Sequence, residues 1–231
     1  MLCTNVFSII ICVDGFEHFE FVVVKLISIT MLLSQTARIL AHKPLQLGLS
    51  PTPSSTVPVR NFWGWINMMF NRVDNSRLKV VGPDRLCAEW LLRNGARAKF
   101  VGVAREQVNY NMLPDEKTPV QIEELDGTDS GIMYIGFDHL KGLKGLRKVK
   151  LHKCVYVENQ ALAKLAFVAD SLEELEVSSC KNITDGGLLS LKELKKLKQL
   201  TTFDLPYVKN LQAVEQELKK ALPQCNMDLK P

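Results

Sequence analysis

Two histidines stand beside residues that could assist catalysis or bind a metal. His139 follows Asp138, a pairing that could transfer protons, and His152 and Cys154 flank Lys153. Proton-transfer catalysis of this kind needs a nucleophile in a recognisable motif, and the sequence places none beside these residues. A metal centre needs more ligands than His152 and Cys154 supply. We therefore expect a structural role for both histidines and no enzymatic activity.

The segment DGTDS (126–130) is a second candidate for chemistry. Asp126 and Asp129 lie where the chain turns, and a helix that precedes them is predicted to end at Gly95. The end of a helix presents unpaired carbonyl oxygens, and hard cations such as Mg²⁺ prefer oxygen ligands. A carbonyl at Thr128 could contribute as well. The alternative is that the aspartates only form a turn.

Composition and charge exclude several classes of protein. The 231 residues have a formal net charge of +4, too mild for a nucleic-acid-binding protein. The six cysteines lack paired CxxC spacing, which argues against a zinc site and a disulfide framework and favours a reducing compartment. No glycine-rich nucleotide loop occurs, so we expect no small-molecule substrate. Lysine-rich segments at 141–153 and 192–199 could bind carboxylates or anionic lipids, or could be solvated helix faces.

The first sixty residues differ from the rest of the chain. Residues 1–35 are apolar, but charged residues interrupt them before a membrane span is reached. From Phe21 to Val73 there is no acidic residue, and residues 31–60 are basic, rich in Ser and Thr, and amphipathic. These properties are typical of a mitochondrial transit peptide and linker. We expect residues 1–30 to be an upstream extension absent from the mature protein.

Residues 61–97 are predicted to form a helical cap. Apolar residues at 62, 65, 66, 69, 70 and 73 have helical spacing and are expected to pack on the main domain, with Trp63 outside this stripe. In the next helix, Pro83 suits the first position and Gly95 suits the cap after the last turn. Cys87 is predicted to lie in the core.

An internal repeat is the strongest signal in the sequence. The segment LRKVKLHKC (146–154) aligns with LEELEVSSC (172–180) at a spacing of 26. IEELDGTDS (122–130) fits 24 residues earlier, LTTFDLPYV (200–208) fits 28 residues later, and AKFVGV (98–103) is a degenerate copy. Each LxxLxLxxC unit predicts a short parallel strand followed by a helix.

The predicted fold class is therefore α/β, a short leucine-rich repeat of the cysteine-containing type capped by a small helical domain. The predicted repeat domain covers residues 98–231. It is divided into segments 98–121 (degenerate), 122–145, 146–171, 172–199 and 200–231.

Several motifs resemble those of the mitochondrial ATP synthase subunit s family, also called coupling factor B. They are NFWGWIN (61–67), FNRVD (70–74), VGPDR (81–85), EWLLRNGA (89–96), YNMLP (110–114), DGTDSGIMYIGFDHLKGL (126–143), NITDGGL (182–188) and DLP (204–206). The resemblance implies a non-enzymatic protein on the matrix side of the mitochondrial inner membrane, peripheral to it. Its implied partner is the membrane sector of ATP synthase, where it would block a proton leak. It also implies a Mg²⁺ ion held by the backbone carbonyls of Gly95 and Thr128.

Two features depart from this family or leave alternatives open. Members of the family carry Cys-Lys-Cys where this chain has His152-Lys153-Cys154, so dithiol chemistry is not expected here. A sister family of similar architecture assists assembly of the distal membrane arm of respiratory complex I, and that role is the first alternative. The second is a cytosolic F-box-like leucine-rich repeat adaptor.

Overall fold

The computed structural model describes residues 59–230, with side chains from Gly64 onward. The expectations for the extension 1–30, for the transit peptide and for the Trp63 side chain lie outside these described residues. Two helices open the described chain, α1 (Val59–Asn71) and α2 (Asn75–Arg93). Six strands follow, β1 (Arg97–Phe100), β2 (Ile122–Asp126), β3 (Lys148–His152), β4 (Glu174–Ser178), β5 (Gln199–Phe203) and β6 (Asn226–Leu229).

Three further α-helices lie between the later strands. They are α3 (Asn159–Lys164), α4 (Asp185–Leu189) and α5 (Leu211–Ala221). Short 3₁₀ helices complete the connections at Tyr110–Met112, Tyr134–Leu140, Leu165–Val168 and Ser190–Glu193. None of the helices within residues 59–230 has the length and apolar character needed to cross a membrane.

Helix α2 begins at Asn75, earlier than the predicted first position at Pro83, and ends at the glycine cap that the sequence predicts. The Asp74 side chain accepts hydrogen bonds from the backbone N–H groups of Ser76 and Arg77, which caps the first turn. Gly82 leaves the helical conformation at φ 78°, so the segment from Pro83 onward is effectively a second helix. At the other end Gly95 has φ 79°, and the Ala96 N–H donates to the Leu91 carbonyl at 2.9 Å. This arrangement is a Schellman motif, which favours glycine at this position.

The six strands form one sheet in chain order, and β2 to β6 are parallel. The inward-facing residues Leu125, Val149, Leu175, Leu200 and Met227 occupy equivalent positions, at spacings of 24, 26, 25 and 27 residues. The α/β fold class is confirmed, and so is the sequence alignment of the three motifs that begin at residues 122, 146 and 172.

Two details of the predicted repeat are wrong. The fourth motif lies three residues earlier than expected. The residue that pairs with Leu175 is Leu200 and not Phe203. The predicted alignment looked better than the observed one because the observed one places a threonine, residue 202, where the pattern calls for an aliphatic residue. The segment 98–121 is not a degenerate coil, because β1 runs antiparallel to β2 and Ala98 opposes Leu125.

The outward faces of the first four strands carry charges whose sign changes at each strand. Basic residues on β1 face acidic residues on β2, and the same alternation is repeated between β3 and β4. The resulting ion pairs are Lys99 with Glu124, Arg97 with Asp126 at 3.3 Å, Lys148 with Glu174 at 3.0 Å and Lys150 with Glu176 at 3.8 Å. The series ends at β4, because the outward residues of β5 are Gln199, Thr201 and Phe203. Lys198, just before β5, pairs with Glu173, just before β4, at 2.7 Å. Opposite charges on directly opposed residues stabilise strand pairing.

Thr202 is a polar residue at an inward-facing strand position, where the equivalent residues of the neighbouring strands are apolar. It lies opposite Val177 on β4 and is fully buried. Its hydroxyl oxygen has no hydrogen-bond partner among the described residues. A buried polar group without a partner lowers stability by about 1–3 kcal/mol.

We expect Thr202→Val to stabilise the protein. The substitution removes the unpartnered hydroxyl and keeps the branched shape, so the free energy of unfolding should rise by about 1 kcal/mol. Urea unfolding followed by circular dichroism measures this change. Thr201→Val, on the outward face of the same strand, is the matched control and should change stability little. A loss of stability in Thr202→Val would show that the hydroxyl has a partner, such as a buried water.

Helix α1 packs in the opposite sense to the prediction. Its polar side faces the domain, where Asn71 is fully buried, and its apolar side faces outward. Trp65 is 41% exposed and Phe70 47%, and Met68 and Met69 are also exposed. The expectation that the apolar stripe packs on the main domain is therefore wrong for Trp65, Met69 and Phe70. The reason is that Asn71 fills a site lined with polar groups, which an apolar side chain cannot satisfy.

Candidate cation site at the end of helix α2

The end of α2 and the loop after β2 lie against each other. The Gly131 N–H donates to the Asn94 carbonyl at 2.9 Å, and Arg97 opposes Asp126 across the sheet. Glycine is favoured at position 131 because the Asn67 side-chain oxygen lies within 3.1 Å of the position that a Cβ would take. The structure thus brings together the two segments that carry Gly95 and Thr128, the residues singled out for Mg²⁺.

The oxygen atoms of this site differ in their availability. One carboxylate oxygen of Asp126 accepts the Thr128 N–H at 2.8 Å and the Thr128 hydroxyl, and the other accepts Arg97. The carbonyls of Gly95 and Thr128, in contrast, accept no hydrogen bond from other described residues. Two free carbonyls suit a hard cation that keeps most of its water ligands. The residues therefore fit Mg²⁺ in ligand type, with Asp126 as a nearby charge rather than a ligand.

No cluster of three or more His, Cys, Asp or Glu residues suited to a metal occurs within residues 59–230. A neighbouring cavity of about 210 Å³ is lined by Arg97, Lys99, Glu106, Glu124, Asp126, Lys148 and Lys150. Four basic and three acidic side chains nearly cancel there. Most of them are already paired with each other, so this cavity has little charge left for a ligand.

We expect Gly95→Val to weaken Mg²⁺ binding. A β-branched residue at φ 79° is strained, so the carbonyl would be displaced. Isothermal titration of Mg²⁺ should show an affinity at least about ten-fold lower than in the parent chain. Gly102→Val is a matched control, because Gly102 has φ 77° but lies in the loop after β1. Equal Mg²⁺ affinity in Gly95→Val and the parent would count against the site.

Asp138 and His139 do not form the expected pair. The His139 Nδ1 atom is hydrogen-bonded to the Gly136 carbonyl at 2.8 Å, and its ring stacks on Trp90 with 4.9 Å between centroids. Asp138 is bonded instead to Lys164 at 2.8 Å and Lys141 at 2.9 Å. Both residues are structural, as expected, but they act separately.

His139 makes the fold sensitive to acid. Burial lowers the pKa of His139 from 6.5 to about 4; the Gly136 bond partly opposes this, and Arg93 contributes a further decrease. The unfolded chain therefore binds a proton between pH 6.5 and 4 that the folded chain does not. The contribution of neutral His139 to the free energy of unfolding is therefore fully present above pH 6.5. It is lost as the pH decreases towards 4, by up to about 3 kcal/mol.

We expect His139→Phe to flatten this pH dependence. Phenylalanine can keep the stack on Trp90 but cannot titrate, and at neutral pH it loses only the bond to Gly136. Urea unfolding at several pH values between 4 and 7 should show the parent losing stability more steeply than the variant. If stability fell equally steeply with pH in the parent and in His139→Phe, the pH dependence could not be assigned to His139.

The cysteines of the described region are buried free thiols. Burial raises the pKa of Cys87, and the hydrogen bond with Cys180 together with burial raises that of Cys154. The Cys154 thiol donates to the Gly127 carbonyl at 2.9 Å. Cys87 and Cys154 therefore stay protonated at neutral pH and are not nucleophiles, whereas the hydrogen bond from Cys154 lowers the pKa of the Cys180 thiol. Cys87 lies in the core, as predicted.

His152 occupies a polar chain across two strands. Its Nδ1 atom lies 2.8 Å from the Ser178 hydroxyl, which donates to Glu176 at 2.9 Å. In a hydrolase triad the imidazole lies between the serine hydroxyl and the carboxylate, which orients the imidazole to take the serine proton. Here the hydroxyl lies between the imidazole and the carboxylate, so no carboxylate orients His152 in that way. The chain links β3 to β4 and does not resemble a catalytic centre.

Pattern-based reasoning missed an ion cluster on α2. Glu89 is 1% exposed and receives Arg77 at 2.7 Å, Arg85 at 3.0 Å and Arg93 at 3.7 Å. Two of these arginines also hold the loop 101–121, since Arg77 pairs with Glu116 and Arg85 binds the Pro114 carbonyl. Arg85, Glu89 and Arg93 recur every four residues, and this helical spacing was the available signal.

Comparison with known proteins decides the family. The human mitochondrial ATP synthase subunit s is 44% identical over 174 residues, which cover 74% of this chain and 87% of the human protein. The bovine protein of the same name has the same identity and coverage, and the rat protein is 42% identical over the same share. The chain belongs to the mitochondrial ATP synthase subunit s family. A search against protein-family models found no match.

Membership in the subunit s family confirms the resemblance stated from the motifs. The shared length of 174 residues nearly equals the 172 described residues, and 87% of the relatives' own length is covered. The relatives' name describes a mitochondrial subunit of ATP synthase and names no reaction.

Proposed function

We propose that this protein is a non-enzymatic mitochondrial factor associated with ATP synthase. The observation that carries the proposal is the 44% identity to ATP synthase subunit s over 174 residues. In detail, the protein would lie on the matrix side of the inner membrane, contact the membrane sector and block a proton leak, so that proton flow remains coupled to ATP synthesis. A Mg²⁺ ion at the Gly95 and Thr128 carbonyls would brace the end of α2.

The outward face of α1 supports a peripheral position on the inner membrane. Trp65, Met68, Met69 and Phe70 are exposed on one helix, and no acidic residue occurs between Val59 and Val73. An apolar helix face with aromatic residues and flanking arginines (Arg60 and Arg72 in the sequence) is suited to the interface of an anionic membrane.

Affinity purification from mitochondria tests the association. A tagged full chain should recover ATP synthase subunits from detergent-solubilised inner membranes. Recovery of complex I assembly intermediates without ATP synthase would overturn the proposal and favour the assembly role.

Membrane placement is tested by a double substitution on α1. Trp65→Ser with Phe70→Ser should shift the protein from the membrane fraction to the soluble fraction, because apolar area available for insertion is lost. Met112→Ser is a matched control, since Met112 is 71% exposed but lies in the loop 101–121. Membrane recovery that is equal in the double variant and the control would contradict this placement.

A further inference from the structure

We propose that the turns after β3, β4 and β5 form a second membrane-contact surface, so that the repeat domain stands with one edge of its sheet on an anionic phospholipid bilayer. This edge, where β2 to β6 end, is called the carboxyl edge. The inference rests on the proposed peripheral position of the protein on the inner membrane. It adds the orientation of the repeat domain and three contact residues outside α1, which are Val155, Tyr156 and Tyr207.

Helix α1 is attached at the carboxyl edge of the sheet. Its last residue, Asn71, accepts the Met133 N–H at 2.8 Å and donates to the Gly131 carbonyl at 3.1 Å. Gly131 and Met133 belong to the loop that follows β2. Because β2 to β6 are parallel, the turns after β3, β4 and β5 leave the sheet at the same edge. The exposed apolar residues of α1 and these turns therefore lie at one end of the molecule.

Large apolar side chains are exposed at these turns and buried in the loops of the opposite edge. Val155 is 62% exposed, Tyr156 46% and Tyr207 57%. In the loops that lead into β3, β4, β5 and β6, in contrast, every leucine is buried, namely Leu143, Leu146, Leu172, Leu194, Leu197 and Leu222. The same coils thus have one edge with apolar side chains at its surface and one edge without them. Apolar groups gathered on one exposed surface indicate a contact with a partner or a membrane.

Tyr156 and Tyr207 occupy equivalent places in turns that are two coils apart. The N–H groups of Val157 and Val208 each donate to the carbonyl three residues earlier, at 3.4 and 3.0 Å, so each tyrosine directly precedes the donor that closes its turn. Neighbouring strands are about 4.8 Å apart, which separates residues two coils apart by about 10 Å. Equivalent places on parallel coils lie at the same height. Both tyrosines can therefore reach one flat surface together.

The chemistry of these side chains fits the interface of a bilayer. Tyrosine and tryptophan combine an apolar ring with a polar group, and both are enriched where hydrocarbon meets lipid headgroups. Trp65 on α1 has the same character and is also exposed. Single side chains that project from turns can enter the headgroup region without a complementary pocket, which an anchor in a protein interface needs. The bilayer that α1 is proposed to contact is the partner already present at this end.

The charge of the turns permits contact with anionic lipids. Each turn carries one exposed lysine, Lys153, Lys181 or Lys209, and the exposed acidic residues are Glu158 and Asp204. The turns are thus not repelled by a negatively charged surface. A lysine has a long apolar stem, so its ammonium group can reach a headgroup phosphate while a neighbouring tyrosine enters the interface.

The opposite edge is more basic and provides the competing orientation. Its loops before β3 and β5 expose Lys144, Arg147, Lys195 and Lys196. A membrane held by charge alone would meet this edge, and salt would release it, because the Debye length falls to about 3 Å at 1 M ionic strength. Contact through inserted rings is not screened in this way. Salt dependence therefore distinguishes the two orientations.

Sedimentation of the full chain with vesicles of phosphatidylcholine and cardiolipin tests the surface. Tyr156→Ser with Tyr207→Ser should lower the partition coefficient about ten-fold, because two aromatic rings no longer enter the interface. Both side chains are exposed, so the variant should keep the circular dichroism spectrum and the unfolding midpoint of the parent. Phe167→Ser is the matched control, since Phe167 is a 41% exposed aromatic residue outside the turns, and it should bind as the parent does.

NMR of the ¹⁵N-labelled full chain with bicelles that contain a headgroup spin-labelled lipid tests the orientation. We expect line broadening of the amides in α1 and in residues 153–158 and 204–209, with the loops 141–147 and 194–198 unaffected. The broadening should persist when the salt concentration is raised to about 1 M. Broadening of the two basic loops instead, with release by salt, would overturn the proposed orientation.

The remaining outcomes separate this inference from the proposed function. If Trp65→Ser with Phe70→Ser weakens vesicle binding and the double tyrosine variant binds as the parent does, the inference is wrong and the placement through α1 stands. If the parent does not bind vesicles, both are wrong. If the double tyrosine variant keeps its vesicle binding but no longer recovers ATP synthase subunits, the turns contact a protein, and the inference is again wrong.

Discussion

Asn71→Ala should lower the free energy of unfolding by about 3–5 kcal/mol, the largest effect expected for a single substitution in the cap. The Asn71 oxygen accepts the Trp90 indole N–H at 3.0 Å and the Met133 N–H at 2.8 Å. Its amide donates to the carbonyls of Asn67 and Gly131 and to the Asn94 side chain. Alanine leaves these buried groups without partners, and each unpaired group costs about 1–3 kcal/mol.

Urea unfolding by circular dichroism measures the loss, and hydrogen exchange locates it. Protection should decrease first in α1 and in the segment from Gly131 to Gly136, which Asn71 joins. Asn111→Ala, at an exposed asparagine in the loop 101–121, is the matched control and should change stability by less than about 0.5 kcal/mol. A loss below about 1 kcal/mol in Asn71→Ala would mean that α1 is held by other contacts.

Glu89→Gln should be the second large effect, with a loss of about 3 kcal/mol. The carboxylate is almost fully buried between three arginines, and removal of its charge leaves Arg85, itself buried, without a counter-charge. Glu116→Gln is the matched control, because Glu116 is half-exposed and its one ion pair among the described side chains is with Arg77. The free energy of unfolding of Glu116→Gln should fall by no more than about 0.5 kcal/mol, the usual contribution of an exposed ion pair.

The same pair of proteins gives a pH test. Burial by itself would raise the pKa of Glu89, but hydrogen bonds and charge from the arginines outweigh burial and lower the pKa below its ordinary value of 4.5. The stabilisation is therefore present above that value and is lost as the pH falls through the lowered pKa. The stability difference between the parent and Glu89→Gln should shrink in this acidic range. A difference that stays constant down to acidic pH would show that Glu89 is not charged in the fold.

The strands were predictable where each inward position carries an aliphatic residue or a small replacement. Leu146, Val149 and Leu151 aligned without ambiguity with Leu172, Leu175 and Val177. The prediction was wrong at β5, since Thr202 replaced an aliphatic residue and the exposed-face Phe203 attracted the alignment. An aromatic residue on the wrong face outweighs a polar one on the right face when only hydropathy is compared.

The orientation of α1 could not be predicted from its apolar periodicity. The apolar periodicity correctly predicted a helix. Which side of the helix is buried depends, however, on the polar groups that the rest of the domain presents to it. The Trp90 indole N–H and the Met133 backbone N–H both need an acceptor, and the Gly131 carbonyl needs a donor. The Asn71 side chain satisfies all three. Such a site is assembled from residues up to 62 positions apart in sequence. The carbonyl pair proposed for Mg²⁺ was similarly invisible to side-chain patterns, because its ligands are backbone atoms. The helix end at Gly95 and the turn at 126–130 suggested it only as one of two interpretations, and the family resemblance added the assignment to Gly95 and Thr128.

Because the charge on the outward face alternates from strand to strand, it matters whether an odd or an even number of coils is added or lost. Removal of the coil that carries β2 or β3 would bring two strands of the same sign together, for example the lysines of β3 beside those of β1. Like charges on opposed residues destabilise pairing. Removal or duplication of two adjacent coils preserves the alternation. Among β1 to β4, the unit that can be added or lost without opposing like charges is therefore a pair of coils, although the leucine pattern alone repeats with every single one.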